Sequence, residues 1–171
     1  MTSFLLLLTT TLTLSHSLTH SLTHSPPIPF SQPLDISSGI SSPSTWSLTL
    51  TLQQHRFTNN KVSFTTRSYC YSDICSYPGP TLHLQAGDNL TLTLVNNLGP
   101  YSHTNNTHVM NTMNSPNTTN FHTHGLHISP HVDNVFLRAD PGDSLVYEFK
   151  IPLNHASGMM WYHDHLHGSS T

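Results

Sequence analysis

From Trp46 onward, apolar and polar side chains alternate with a period of two. Trp46-Ser-Leu-Thr-Leu-Thr-Leu puts Trp46, Leu48, Leu50 and Leu52 on one face and hydroxyls on the other, as a half-buried strand requires. Asn89-Leu-Thr-Leu-Thr-Leu-Val repeats the pattern behind the turn Ala86-Gly87-Asp88. Ser144-Leu-Val-Tyr-Glu-Phe-Lys-Ile does so behind Pro141-Gly142-Asp143. Shorter strands are predicted at Val62-Ser-Phe-Thr-Thr, at Thr81-Leu-His-Leu-Gln behind Pro78-Gly79-Pro80, at Phe121 to Ile128, and at Met159 to His165. No segment carries a helical stripe. Short strands with regular turns predict an all-β sandwich.

The pattern also divides the chain. Phe4 to Leu14 is an apolar and threonine-rich run followed by small Ser15 and Ser17, which reads as a secretory signal and is too short to span a bilayer. The repeat ending in His20 and His24 completes a low-complexity leader over residues 1–24. Residues 25–45, rich in Pro and Ser, read as linker, and 46–171 as the folded domain. Tyr101 to Asn120 reads as a long polar surface loop, in which His103, His108, Met110 and Met113 are solvated rather than a soft-metal patch.

Composition narrows the class. Charged residues make up 8%, with five Lys and Arg against eight Asp and Glu and a net charge of −3. No basic run tracks a phosphate backbone, which argues against a nucleic-acid partner. A surface of hydroxyls and amides suits an extracellular glycoprotein, and N-x-S/T sequons occur at Asn89, Asn105 and Asn117. Cys70 and Cys75 lie close enough for a short-loop disulfide in an oxidising compartment, with two independent thiols as the alternative.

The chemistry lies in two histidine pairs, His122-Thr123-His124-Gly125 and Trp161-Tyr162-His163-Asp164-His165. On a strand, both imidazoles of an H-x-H point the same way, about 7 Å apart. That spacing suits two neighbouring ions, or one ion bridged from two strands. Imidazole donors without thiolate or clustered carboxylate favour copper, zinc, iron or nickel over calcium or magnesium. Four histidines on adjacent strands would surround one spot.

The order Gly79-Pro80-Thr81-Leu82, Gly87-Asp88, Asn97-Leu98, His122-Thr123-His124-Gly125, Pro141-Gly142 and Gly158-Met-Met-Trp161-Tyr162-His163-Asp164-His165-Leu166-His167-Gly168 resembles the first cupredoxin domain of the multicopper oxidases, the laccase-like family. The resemblance runs from Trp46 to Thr171. It implies a Greek-key β-sandwich and oxidation of a phenolic or metal-ion substrate coupled to reduction of O₂ to water. It also implies copper as cofactor, with His122 on a type 2 ion and His124, His163 and His165 on a type 3 pair. Asp133 resembles the acidic residue that helps deliver protons, with a turn aspartate satisfying local backbone donors as the alternative. His127 falls on the face opposite His124, His167 is a supporting residue, and His83 and His155 are structural.

The family draws half of its cluster's histidines, and the His-Cys-His motif that holds type 1 copper, from its last cupredoxin domain. This chain carries neither. The expectation is a domain incomplete at its C-terminus, lacking closing strand and dependent on further cupredoxin domains, in its own or another chain. Two other readings remain open: a non-catalytic secreted copper-binding or interaction module, and a zinc hydrolase.

Overall fold

The computed structural model describes residues 33–37, 43–59, 61–100 and 115–169. In chain order the strands are β1 (Asp35–Ser37), β2 (Thr45–Thr58), β3 (Ser63–Tyr71), β4 (Ile74–Cys75), β5 (Thr81–His83), β6 (Asn89–Asn97), β7 (His122–His124), β8 (Ser144–Lys150) and β9 (Trp161–His163). Among the described residues there is no helix, and so none long and apolar enough to cross a membrane. The architecture is all-β.

A five-stranded sheet in the order β4-β3-β2-β6-β8 forms one layer. β2 and β6 run parallel, and the other pairs are antiparallel. Its inner face follows from the alternation. Leu92 on β6 lies opposite Leu48 on β2 and Tyr147 on β8, while Leu90 faces Trp46 and Phe149. Leu50, Leu92 and Leu94 are fully buried. Each such leucine contributes up to about 1.5–3 kcal/mol by leaving water. Ser47 and Thr49, which alternate with the leucines of β2, point to the other face and are exposed.

Two strand pairs face this sheet across the core: β1 with β5, parallel, and β7 with β9, antiparallel. Ile36 from β1 and Phe121 at the entry to β7 are buried in the same cluster, with Leu82 of β5 and Tyr162 of β9 packed against it. This second layer carries the histidines. Phe121 locks it to the sheet, because its ring contacts Tyr147 and Phe149, and its N–H donates to the Tyr147 hydroxyl at 2.9 Å.

The structure departs from the sequence reading in several places. Asp35–Ser37, inside the stretch read as linker, is a strand because Ile36 finds a place in the core and the backbone pairs with β5. β2 continues six residues past its apolar repeat as a polar hairpin arm, where Phe57 stacks on Phe64 of β3 at 5.5 Å. The strand at Val62 begins at Ser63 and runs on to Tyr71. Ser115 and Thr118 to Asn120, read as surface loop, are buried, since Thr119 bridges Ala139 and Ser115 N–H donates to Gly168 O. The strand at Phe121 to Ile128 shrinks to three residues, ended by Gly125 at a φ of 95°. A side chain at Gly125 would also meet the Met160 sulfur at 2.8 Å. The leader, Asn105, His103, His108, Met110 and Met113 lie outside the described residues.

Candidate metal centre

β7 and β9 pair so that His122 lies opposite His163 and His124 opposite Trp161. Alternation turns Tyr162 toward the core, where it stacks on Phe121 at 4.8 Å and donates from its hydroxyl to Pro80 O at 2.7 Å. The flanking Trp161 and His163 therefore point the other way, to the side of His122 and His124. His165 lies just past the end of β9, and its N–H donates to the Asn120 side-chain oxygen at 2.8 Å.

All four rings meet. His122 lies 4.8 Å from His124, 5.8 Å from His163 and 5.0 Å from His165, centroid to centroid. His163 lies 5.1 Å from His124 and 5.3 Å from His165. The rings within each pair are thus closer than the strand spacing predicts. Side-chain rotation tips them together, and the chain has left β9 before His165. His124 Nε2 and His163 Nε2 come within 3.1 Å. Among the described residues, no three His, Cys, Asp or Glu side chains converge on a single ion position. The arrangement offers donors in pairs.

Two carboxylates brace the cluster. Asp133, its side chain 8% exposed, lies 3.0 Å from His122 Nδ1 and also accepts from the Thr123 backbone N–H and, at 2.7 Å, from the Thr123 hydroxyl. It therefore satisfies backbone donors and touches a histidine at once. A carboxylate at Nδ1 leaves Nε2 of His122 with its lone pair toward the other rings. Asp164 points away from them: it accepts from the Ser169 hydroxyl at 2.9 Å and from Leu166 N–H at 3.1 Å, with Arg67 at 3.5 Å. Burial pushes its carboxyl above the usual range despite those donors. Burial likewise holds the His163 imidazole below its ordinary value, helped by the neighbouring His124, His165 and His122. Depression favours the neutral ring, the form that ligates metals.

Asn120 and Arg67 support the cluster and carry no mark in the sequence, whereas Trp161 belongs to the second histidine motif. Asn120 donates to Val135 O and Leu137 O, at 2.8 and 3.1 Å, while its oxygen holds His165. It thereby ties the end of β9 to the loop that bears Asp133. Arg67, on β3, reaches Asp164, Ser169 and Pro116 O. Trp161 stacks flat on His124, 3.9 Å between centroids and 3° between planes. Of the remaining histidines, His127 is exposed and donates its backbone N–H to His155 Nε2 at 3.0 Å. His83 pairs with Asp35 at the surface, and His167 is exposed. Cys70 and Cys75 are joined in a disulfide. Asn89 is half-buried on β6, and the Asn117 side chain donates to Pro100 O.

A multicopper oxidase family model matches residues 101–171. A stretch of 92 residues is 33% identical to copper resistance protein A of Pseudomonas syringae pv. tomato and 32% identical to the protein of that name from Escherichia coli. It covers 52% of this chain but only 12% of either relative. A multi-copper oxidase from Pseudomonas thermotolerans aligns in structure with a TM-score of 0.49 and 23% identity, over 71% of this chain and 25% of that one. The multicopper oxidase family model thus matches the part of the chain, residues 101–171, in which all four histidines lie.

Proposed function

We propose that His122, His124, His163 and His165 are copper ligands, and that this domain supplies half of an O₂-reducing copper centre. The observation that carries the reading is the 3.1 Å approach of His124 Nε2 to His163 Nε2. Two nitrogens each about 2.0–2.1 Å from one ion stand about 2.9–3.4 Å apart at ordinary coordination angles. His124 and His163 are therefore spaced as neighbouring ligands of one ion of the type 3 pair. His165 serves the other ion of that pair, and His122, braced by Asp133, serves the type 2 ion. Copper held there would supply one-electron redox chemistry and an O₂-binding site.

The chain's own residues have distinct tasks in this reading. Asp133 holds His122 by its Nδ1, and its part in proton delivery runs through the proton shared along that contact. Asn120 and Arg67 fix the segment that bears His163 and His165. The remaining ligands and the type 1 copper come from a further cupredoxin domain, and a phenolic compound or a metal ion is the electron donor. Export through the leader at 1–24, and glycosylation at Asn89, Asn105 and Asn117, complete the proposal.

A zinc hydrolase finds less support. It needs a carboxylate free to activate water. Asp133 is engaged by Thr123 and His122, and Asp164 by Ser169 and Leu166. The non-catalytic module differs from the leading reading only in its partner domain. Titration of the full chain with Cu(II), followed by electron paramagnetic resonance, tests the ligand assignment. Saturable binding with nitrogen coupling, lost in a His124→Ala/His163→Ala variant that still folds, is the expected result. Equal binding by that variant overturns it.

A further inference from the structure

We infer that Trp161 is a positioning residue, which sets the ring plane of His124 and so aims its Nε2 at the position shared with His163. The inference rests on the copper reading only for its consequence. Its geometry stands without metal.

Trp161 is the cross-strand partner of His124 and lies two residues before His163, so one indole reaches both rings. It stacks on His124 at 3.9 Å with planes 3° apart, and on His163 at 4.8 Å with planes 25° apart. The lone pair of an imidazole lies in the ring plane. A partner that fixes that plane fixes the direction in which the nitrogen donates.

The other rings have different restraints. His122 is held at Nδ1 by Asp133, and the chain beside His163 is held by the bonds of the Asp164 side chain to Ser169 and Leu166. Metal-binding histidines usually gain their orientation as His122 does, through the nitrogen that does not face the metal. Among the described residues, the only hydrogen bond of the His124 ring runs from Nε2 to His163. Stacking is the restraint left to it.

Exposure supports the same assignment. Trp161 is 57% exposed, so the residue adds little to the core, whereas Tyr162 beside it packs inward. The indole spends one face on the histidines and leaves much of its surface in water. A large aromatic side chain in that position is explained by what it touches.

The test compares the full chain with Trp161→Phe, which keeps an aromatic face, and Trp161→Leu, which does not. In metal-free protein, nuclear Overhauser contacts between the ring protons of His124 and His163 are expected in the wild type and in Trp161→Phe, and are expected to vanish in Trp161→Leu. Circular dichroism checks that all three fold. With Cu(II), Trp161→Leu is expected to bind about tenfold or more weakly, with altered resonance parameters, while Trp161→Phe stays close to wild type. Persistence of the metal-free ring contact in folded Trp161→Leu overturns the inference, whatever copper does. A normal loss of that contact in a chain that never binds copper leaves the positioning role standing and rejects the copper reading instead.

Discussion

Asp133 Oδ1 lies 3.0 Å from His122 Nδ1, and the other oxygen of the same carboxylate takes the Thr123 hydroxyl at 2.7 Å. One side chain therefore fixes both the histidine and the residue after it on β7. Replacing Asp133 with Asn keeps the size but removes the charge that favours an Nδ1–H on His122. Copper affinity is expected to fall about 10–100-fold, the usual effect of losing such a partner. A Cu(II) titration of Asp133→Asn against wild type measures it, with a thermal melt to separate binding from folding.

Asn120 makes a second prediction. Its fully buried amide serves Val135 O, Leu137 O and His165 N–H. Asn120→Ala leaves two carbonyls and one N–H without that partner, in a place water reaches poorly. The expected cost is about 1–3 kcal/mol of stability, read by urea denaturation. Asn120→Asp keeps the acceptor for His165 but sets a buried carboxylate oxygen against the two carbonyls, and should recover none of it.

The core gives a sharper energetic test. Leu92 is fully buried between Leu48 and Tyr147. Leu92→Ala should destabilise the fold by about 2–5 kcal/mol. Against a domain stability of about 5–15 kcal/mol, that loss should be visible as a large drop in melting temperature.

High pH should unfold the protein through its tyrosines. Burial pushes the Tyr147 phenol from 10.0 up to about 12, and burial also raises Tyr69 and Tyr162. A phenol raised in the folded state keeps its full contribution below the unfolded value. It loses it as pH climbs from about 10, where the unfolded chain ionises, through about 12, where the folded one does. For Tyr147 the gap amounts to on the order of 2–3 kcal/mol. Tyr147→Phe is expected to flatten part of that alkaline decline, while lowering stability at neutral pH because Phe121 N–H loses its acceptor. Denaturation curves from pH 8 to about 12 show both effects.

Much of this was legible in the chain because the information was local. β2, β6 and β8 are strict alternations, and a strand's face is decided by parity alone. His122, His124 and His163 followed the same rule onto one side of β7 and β9, while His165 reaches them from beyond the end of β9. β1 and β4 escaped because strands of three and two residues hold too little pattern to read. The polar half of β2 escaped because its partner, β3, rather than the core, makes it a strand. Ring separations were overestimated since parity fixes the face but not the side-chain rotation. Asn120 and Arg67 left no local trace, since their partners lie far along the sequence, 97 residues away for Arg67 and Asp164.

The most direct measurement is anomalous diffraction at the copper edge from crystals of the chain grown or soaked with Cu(II). A peak is expected within about 2.0–2.1 Å of both His124 Nε2 and His163 Nε2, the ordinary metal–imidazole distance. Bound copper found only at other histidines, such as His83, His127 or His155, with His124 Nε2 and His163 Nε2 still in direct contact, would contradict it.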